Sequence, residues 1–69
     1  MVLTNQFPDR LQMLRRQHKY SQRALSELCG LSKNMVNLYE QGKRVPSIEA
    51  AAQMADILGV TMDYLCKGG

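Results

Sequence analysis

Three times in this chain a hydroxyl residue is bracketed by apolar neighbours in the same register: Tyr20-Ser21 with Leu25, Leu31-Ser32 with Val36, and Val60-Thr61 with Leu65. A hydroxyl at a helix start accepts a hydrogen bond from an otherwise unpartnered first-turn N–H, and the flanking apolar pair staples the entering chain. Ser47 gives a fourth start after Pro46, with Glu49 placed where the helix dipole favours an anion. Gly30, Gly42 and Gly59 each follow an apolar-periodic run, where helices stop. Pro8 suits a first helical turn, because its missing N–H has no partner there in any case. No segment alternates apolar and polar as a half-buried strand does. The pattern predicts an all-α chain, a compact five-helix bundle with helices near 8–18, 22–29, 33–41, 48–58 and 62–66.

The second and third helices are joined only by Cys29-Gly30-Leu31-Ser32. A connection that short makes the two helices cross steeply, as in a helix-turn-helix. Ser26 is small where they approach, and Leu25, Cys29, Leu31, Val36 and Tyr39 are expected to bury between them. Phe7, Leu11 and Leu14 line one face of the first helix. On the fourth, Ile48, Ala51, Ala52, Ala55 and Leu58 are assigned to the core, leaving Ala50, Met54 and Ile57 as apolar surplus.

At 69 residues the chain fits one small domain over 1–69, with a core expected from 7 to 66. Its 45% apolar and 22% charged content is that of a globular domain. The apolar runs are far shorter than the ~18 residues of a membrane span, and no basic-then-apolar leader is visible, so no membrane partner is expected and cytoplasm is the default location. Cys29 and Cys66 are too few for a disulfide framework, and Cys29 reads as a small buried apolar residue. His18 is the sole histidine, sits among Arg15, Arg16, Gln17 and Lys19, and is expected to be solvated. No Cys or His spacing fits a metal, and no nucleophile–base constellation is apparent. Neither a metal, a cofactor, a small-molecule substrate nor catalysis is expected.

The charge is uneven. Up to Pro46 eight Lys and Arg face three acidic residues, a net +5, and from Ser47 onward one Lys faces three acidic residues, a net −2. This is the layout of a basic face for a polyanion and a separate neutral-to-acidic end. At ~100° per residue, Asn34, Asn37, Leu38 and Gln41 fall on one side of the third helix and Val36 and Tyr39 on the other. One face is buried, and the other presents mainly amides to whatever lies outside.

The ordered set Ser21-Gln22-Arg23-Ala24-Leu25-Ser26-Glu27-Leu28-Cys29-Gly30-Leu31-Ser32, then Tyr39-Glu40-Gln41-Gly42-Lys43-Arg44-Val45-Pro46-Ser47, then Leu58-Gly59-Val60-Thr61-Met62-Asp63-Tyr64-Leu65, resembles the phage repressor/Cro-type helix-turn-helix family, the XRE-like transcriptional regulators. The resemblance covers about residues 7–66. It implies a lambda repressor-like domain that binds a double-stranded DNA operator, with the third helix in the major groove. By the family pattern Lys33, Asn34, Asn37 and Leu38 are the base-reading positions, although an apolar Leu38 is unusual among them. Ser26 stands where the family more often has alanine. Gln22 matches a phosphate contact, and Gln41, Lys43, Arg44 and Arg15 are further phosphate candidates. Arg15 and Glu40 match a pair joining the first helix to the recognition helix. The family usually binds as dimers; Met54, Ile57, Met62 and Tyr64 are the expected homodimer surface. A transcriptional repressor is the leading expectation. An antitoxin-like interaction module that also binds DNA, and the N-terminal part of a longer regulator, are the alternatives, the tail Cys66-Lys67-Gly68-Gly69 suiting a natural end or a linker.

Overall fold

The computed structural model describes residues 6–67; residues 1–5, the tail glycines Gly68 and Gly69, and the side chain of Lys67 lie outside the description. Five helices follow one another: α1 Phe7–Gln17, α2 Gln22–Leu28, α3 Met35–Glu40, α4 Ile48–Leu58 and α5 Met62–Lys67, with no strand among the described residues. α1 packs on α3 and α5, α2 on α3, and α4 on α5. Leu11, Leu25, Val36, Met54 and Leu65 are fully enclosed where these faces meet. The Phe7 ring stands edge-on to Tyr39, 5.9 Å between centroids, and ties the start of α1 to α3.

Three of the four hydroxyl starts cap as read. Ser21 Oγ accepts from Ala24 N–H at 2.9 Å, Ser47 Oγ from Ala50 N–H at 3.1 Å and Thr61 Oγ1 from Tyr64 N–H at 3.0 Å. Ser32 differs. α3 begins two residues later than the pattern predicts, at Met35, and Lys33 and Asn34 form the turn that leads into it. The first-turn N–H of Val36 is taken by the preceding helix: Ser26 Oγ accepts it at 3.0 Å while its own proton goes to Gln22 O at 2.8 Å. Ser26 is fully buried.

The helix ends share one device. Gly30 N–H bonds Glu27 O and Leu31 N–H bonds Ser26 O; the same two-bond pattern recurs at Gly42 and Gly59. In this motif the residue after the helix takes a left-handed conformation, and Gly30 stands at φ +70. α1 closes identically, but with Lys19 at φ +62. That reversal folds the Tyr20 ring onto His18, stacked at 5.7 Å between centroids. His18 is exposed, as expected, and its Nε2 also donates to Leu58 O at 3.0 Å, joining the end of α1 to the end of α4.

α4 is rotated from its assigned phase. Ala50, Ala51, Met54, Ala55 and Leu58 are buried, whereas Ala52 is exposed and Ile48 is 75% exposed. Apolar residues occur on nearly every side of this helix, so spacing alone left its phase ambiguous; the long, flexible Met54 reaches the core in place of Ala52. Ile48 lies within about 20° of Ala55 on the helix wheel but two turns nearer the N-terminus. Its exposure shows that the first turn of α4 overhangs the core.

Candidate nucleic-acid interface

The outward face of α3 is held in place by a buried charge. Glu40 has a side chain only 2% exposed, and α1 and α2 both send donors to it. Arg15 Nε lies 2.6 Å from Glu40 Oε2 and Arg15 Nη2 3.1 Å from Oε1, while Arg15 Nη1 donates to Tyr20 O at 2.9 Å. Gln22 Nε2 donates to Glu40 Oε1 at 2.9 Å, and Gln12 Nε2 approaches the same oxygen at 3.5 Å. The fork of Arg15 suits bidentate pairing with a carboxylate. The result locks the angle of α3 against α1 and α2. It also binds Arg15 and Gln22 to the scaffold, though each retains N–H groups that these bonds do not use.

Beyond this clamp the described surface carries the remaining sequence-assigned residues. Lys33 and Asn34 are exposed in the turn before α3; Asn37 and Leu38 are half-buried on its outer side. Gln41 closes the helix, and its Nε2 donates to Asn37 Oδ1 at 2.8 Å. Lys43 and Arg44 are exposed in the exit loop. Burial pushes the Tyr39 hydroxyl above its ordinary pKa; the nearby Arg44 charge works the other way, and the Cys29 thiol adds to the rise. Lys33, Asn34, Asn37, Leu38, Gln41, Lys43 and Arg44 thus follow one another along a single helix, its lead-in turn and its exit loop. Of the acidic side chains near them, Glu40 is turned inward and neutralised by Arg15.

The chain's residues 11–65 match the family model described as helix-turn-helix. The chain belongs to the helix-turn-helix family. This helix-turn-helix chain is 34% identical over 62 residues to the SPbeta prophage-derived uncharacterized HTH-type transcriptional regulator YonR of Bacillus subtilis (strain 168), a match covering 90% of the chain and 57% of the relative. It is 40% identical over 57 residues to the HTH-type transcriptional regulator AnsR of the same organism, covering 83% of the chain and 49% of AnsR. The chain thus spans about half the length of the curated relatives it matches. Among solved structures, the P22 c2 repressor in complex with a synthetic operator superposes with a TM-score of 0.87 at 27% identity, over 91% of this chain and 96% of that one. The restriction-modification controller protein C.AhdI from Aeromonas hydrophila gives a TM-score of 0.81 at 32% identity, over 87% and 91%.

The helix-turn-helix fold leaves an apolar area beside the exit loop that the sequence assigned differently. Met54 was expected at a dimer surface but is 0% exposed, so it cannot contribute to one. Ile57 is half-buried against the core, and Tyr64 is half-buried with the Arg10 guanidinium 4.5 Å above its ring. Of the four expected residues only Met62, at 36%, stands exposed, and it lies beside Val45 at 83% and Ile48 at 75%. These three line an open apolar groove of about 230 Å³ together with Phe7, Pro46 and Cys66. Val45 and Ile48 were missed as exposed surface; the signal was Pro46-Ser47, which starts α4 away from the core.

No helix among the described residues is long and apolar enough to cross a membrane.

Proposed function

We propose that this chain is a single DNA-binding domain, the operator-binding unit of a cytoplasmic transcriptional repressor that reads double-stranded DNA as a homodimer. The observation that carries this is the outer side of α3 and its lead-in turn: Lys33 and Asn34 are exposed in the turn, Asn37 and Leu38 lie on a helix clamped through Glu40, and Lys43 and Arg44 follow in its exit loop. In this reading α3 lies in the major groove. Lys33 donates to guanine O6 or N7, Asn34 and Asn37 offer amides to adenine edges, and Leu38 packs on a thymine methyl. Lys43 and Arg44 neutralise phosphates, and Gln22 adds its spare N–H to one beside the start of α2. Arg15 acts through Glu40 as a positioning residue. The likeness to a repressor solved on a synthetic operator supports the same docking.

The dimer is supported by the groove of Val45, Ile48 and Met62, which directly follows the exit loop of α3 and would bring two recognition helices side by side. Selecting bound duplexes from a random pool tests the whole reading. The expected product is a dyad-symmetric sequence protected over both half-sites. Recovery of unenriched sequence would overturn sequence-specific reading, and a footprint of four or five base pairs would overturn the dimer.

A further inference from the structure

Gln41 and Asn37 lie one helical turn apart on the exposed side of α3 and bond directly, Gln41 Nε2 to Asn37 Oδ1 at 2.8 Å. Among the described residues these two side chains make no other side-chain hydrogen bond. On the helix wheel Gln41 falls between Asn37 and Leu38, in the middle of the outer face. Helical side chains lean toward the N-terminus, so Gln41 projects back over Asn37 and toward the reading positions, away from the exit loop.

We propose that Gln41 is a specificity-determining residue: with Asn37 it forms one two-residue amide head that reads a single adenine in the major groove. The inference rests on the major-groove docking proposed above. An amide offers two N–H donors and an oxygen with two acceptor sites. The internal bond uses one N–H of Gln41 and one acceptor site of Asn37; of what remains, the Asn37 amino group and the Gln41 carbonyl oxygen can act as one donor and one acceptor, and Gln41 keeps a second N–H. Exchanging the sense of both amides swaps the two roles and leaves the same pair, one donor and one acceptor. Adenine presents the complement, the N7 acceptor beside the N6 amino donor. Guanine presents two acceptors, so its O6 would face the Gln41 oxygen with no proton between them. A phosphate offers acceptors alone, so it would use only the remaining N–H groups and leave the Gln41 oxygen without a donor. An unpaired Asn37 amide, free to rotate, would discriminate less sharply.

The test compares the full chain with Gln41→Ala, Asn37→Ala and the double variant on the selected operator, on operators changed at single base pairs, and on random duplex. Gln41→Ala is expected to reduce discrimination about tenfold or more at one adenine, the same one that Asn37→Ala affects. Its affinity for random DNA and its salt dependence should stay unchanged. The double variant should lose no more than Asn37→Ala alone, because the two amides act as one unit. Equal weakening on operator and random DNA, with a shallower salt dependence, would overturn the proposal in favour of a phosphate contact. Unchanged binding, or loss at a different base pair from Asn37, would overturn it as well. Lys33→Ala and Asn34→Ala serve as the reference: if neither alters base preference, the major-groove docking itself fails, whereas normal losses there with a silent Gln41 reject only the amide head.

Discussion

At Glu40, a carboxylate 2% exposed, the balance between charge and burial is set by its neighbours. Burying an ion pair gains little against an apolar pair of the same shape, but removing one partner leaves a lone charge where water cannot reach it. Glu40→Gln is therefore expected to destabilise the fold by about 3 kcal/mol, as is Arg15→Met, while the two together lose clearly less than the sum. Chemical denaturation of the four proteins measures this; strict additivity would mean the pair is not coupled. A second residue-scale effect concerns pH. Burial holds the Cys29 thiol above its ordinary pKa, and burial likewise raises the Tyr39 hydroxyl. Both groups bind their protons more tightly in the folded state. Their contribution is thus complete below the unfolded thiol value of about 8.5 and is lost as pH rises beyond it. The unfolding midpoint should fall between about pH 8.5 and 10, and Cys29→Ala should flatten the first part of that fall. The Arg15–Glu40 pair was legible only through family likeness, because nothing in local spacing brings residues 25 positions apart together. The engagement of Gln22 by the same carboxylate had no local signal either.

Between residues and the whole molecule stand the helix ends. Starts and stops were the most legible part of the sequence, since a hydroxyl, a staple and a glycine act within a few residues of one another. Ser32 broke the rule because a tertiary neighbour supplied the cap first: Ser26 reaches from α2 to the Val36 N–H. An alanine at this position would leave that N–H buried without a partner, so Ser26→Ala should destabilise by about 1–3 kcal/mol. A loss near zero would mean that the helix start relaxes to Ser32. Lys19 makes the opposite case, a side chain held at φ +62 where the other three helix ends of this type have glycine. The left-handed conformation costs about 1–2 kcal/mol for a residue with a Cβ, partly offset by the greater freedom glycine has when unfolded. Lys19→Gly should raise stability by roughly 0.5–1 kcal/mol, or a few degrees in Tm for a chain of this size. The phase of α4 was the least legible element, because a helix apolar on most sides carries no stripe to orient it.

At the scale of the whole molecule, the proposed dimer on DNA has two needs, which the basic first part and the apolar groove would meet. A single helix-turn-helix meets few base pairs, and a lone copy reads too short a sequence to be found among many competing sites. Two copies about a dyad would set their recognition helices one turn apart, ~34 Å, on one face of the duplex. Lys43 and Arg44 are exposed in each copy. If each neutralises one phosphate, the log–log salt slope is roughly −3.5 for a dimer and about half that for a monomer. In the proposed dimer the groove would supply the joining surface, because Val45 at 83% and Ile48 at 75% expose more apolar side chain than a stable monomer needs to show. Ile48→Glu should then lower operator affinity steeply and halve the salt slope while leaving helical content and Tm nearly unchanged. Met54→Ala should behave in reverse: Met54 is fully enclosed, so its truncation should reduce stability by about 2–5 kcal/mol while protein still folded keeps its cooperativity on DNA. Should Ile48→Glu bind the full operator with undiminished cooperativity, the two-fold contact lies elsewhere on the surface; should Met54→Ala lose cooperativity without losing stability, the packing assigned to α4 is wrong.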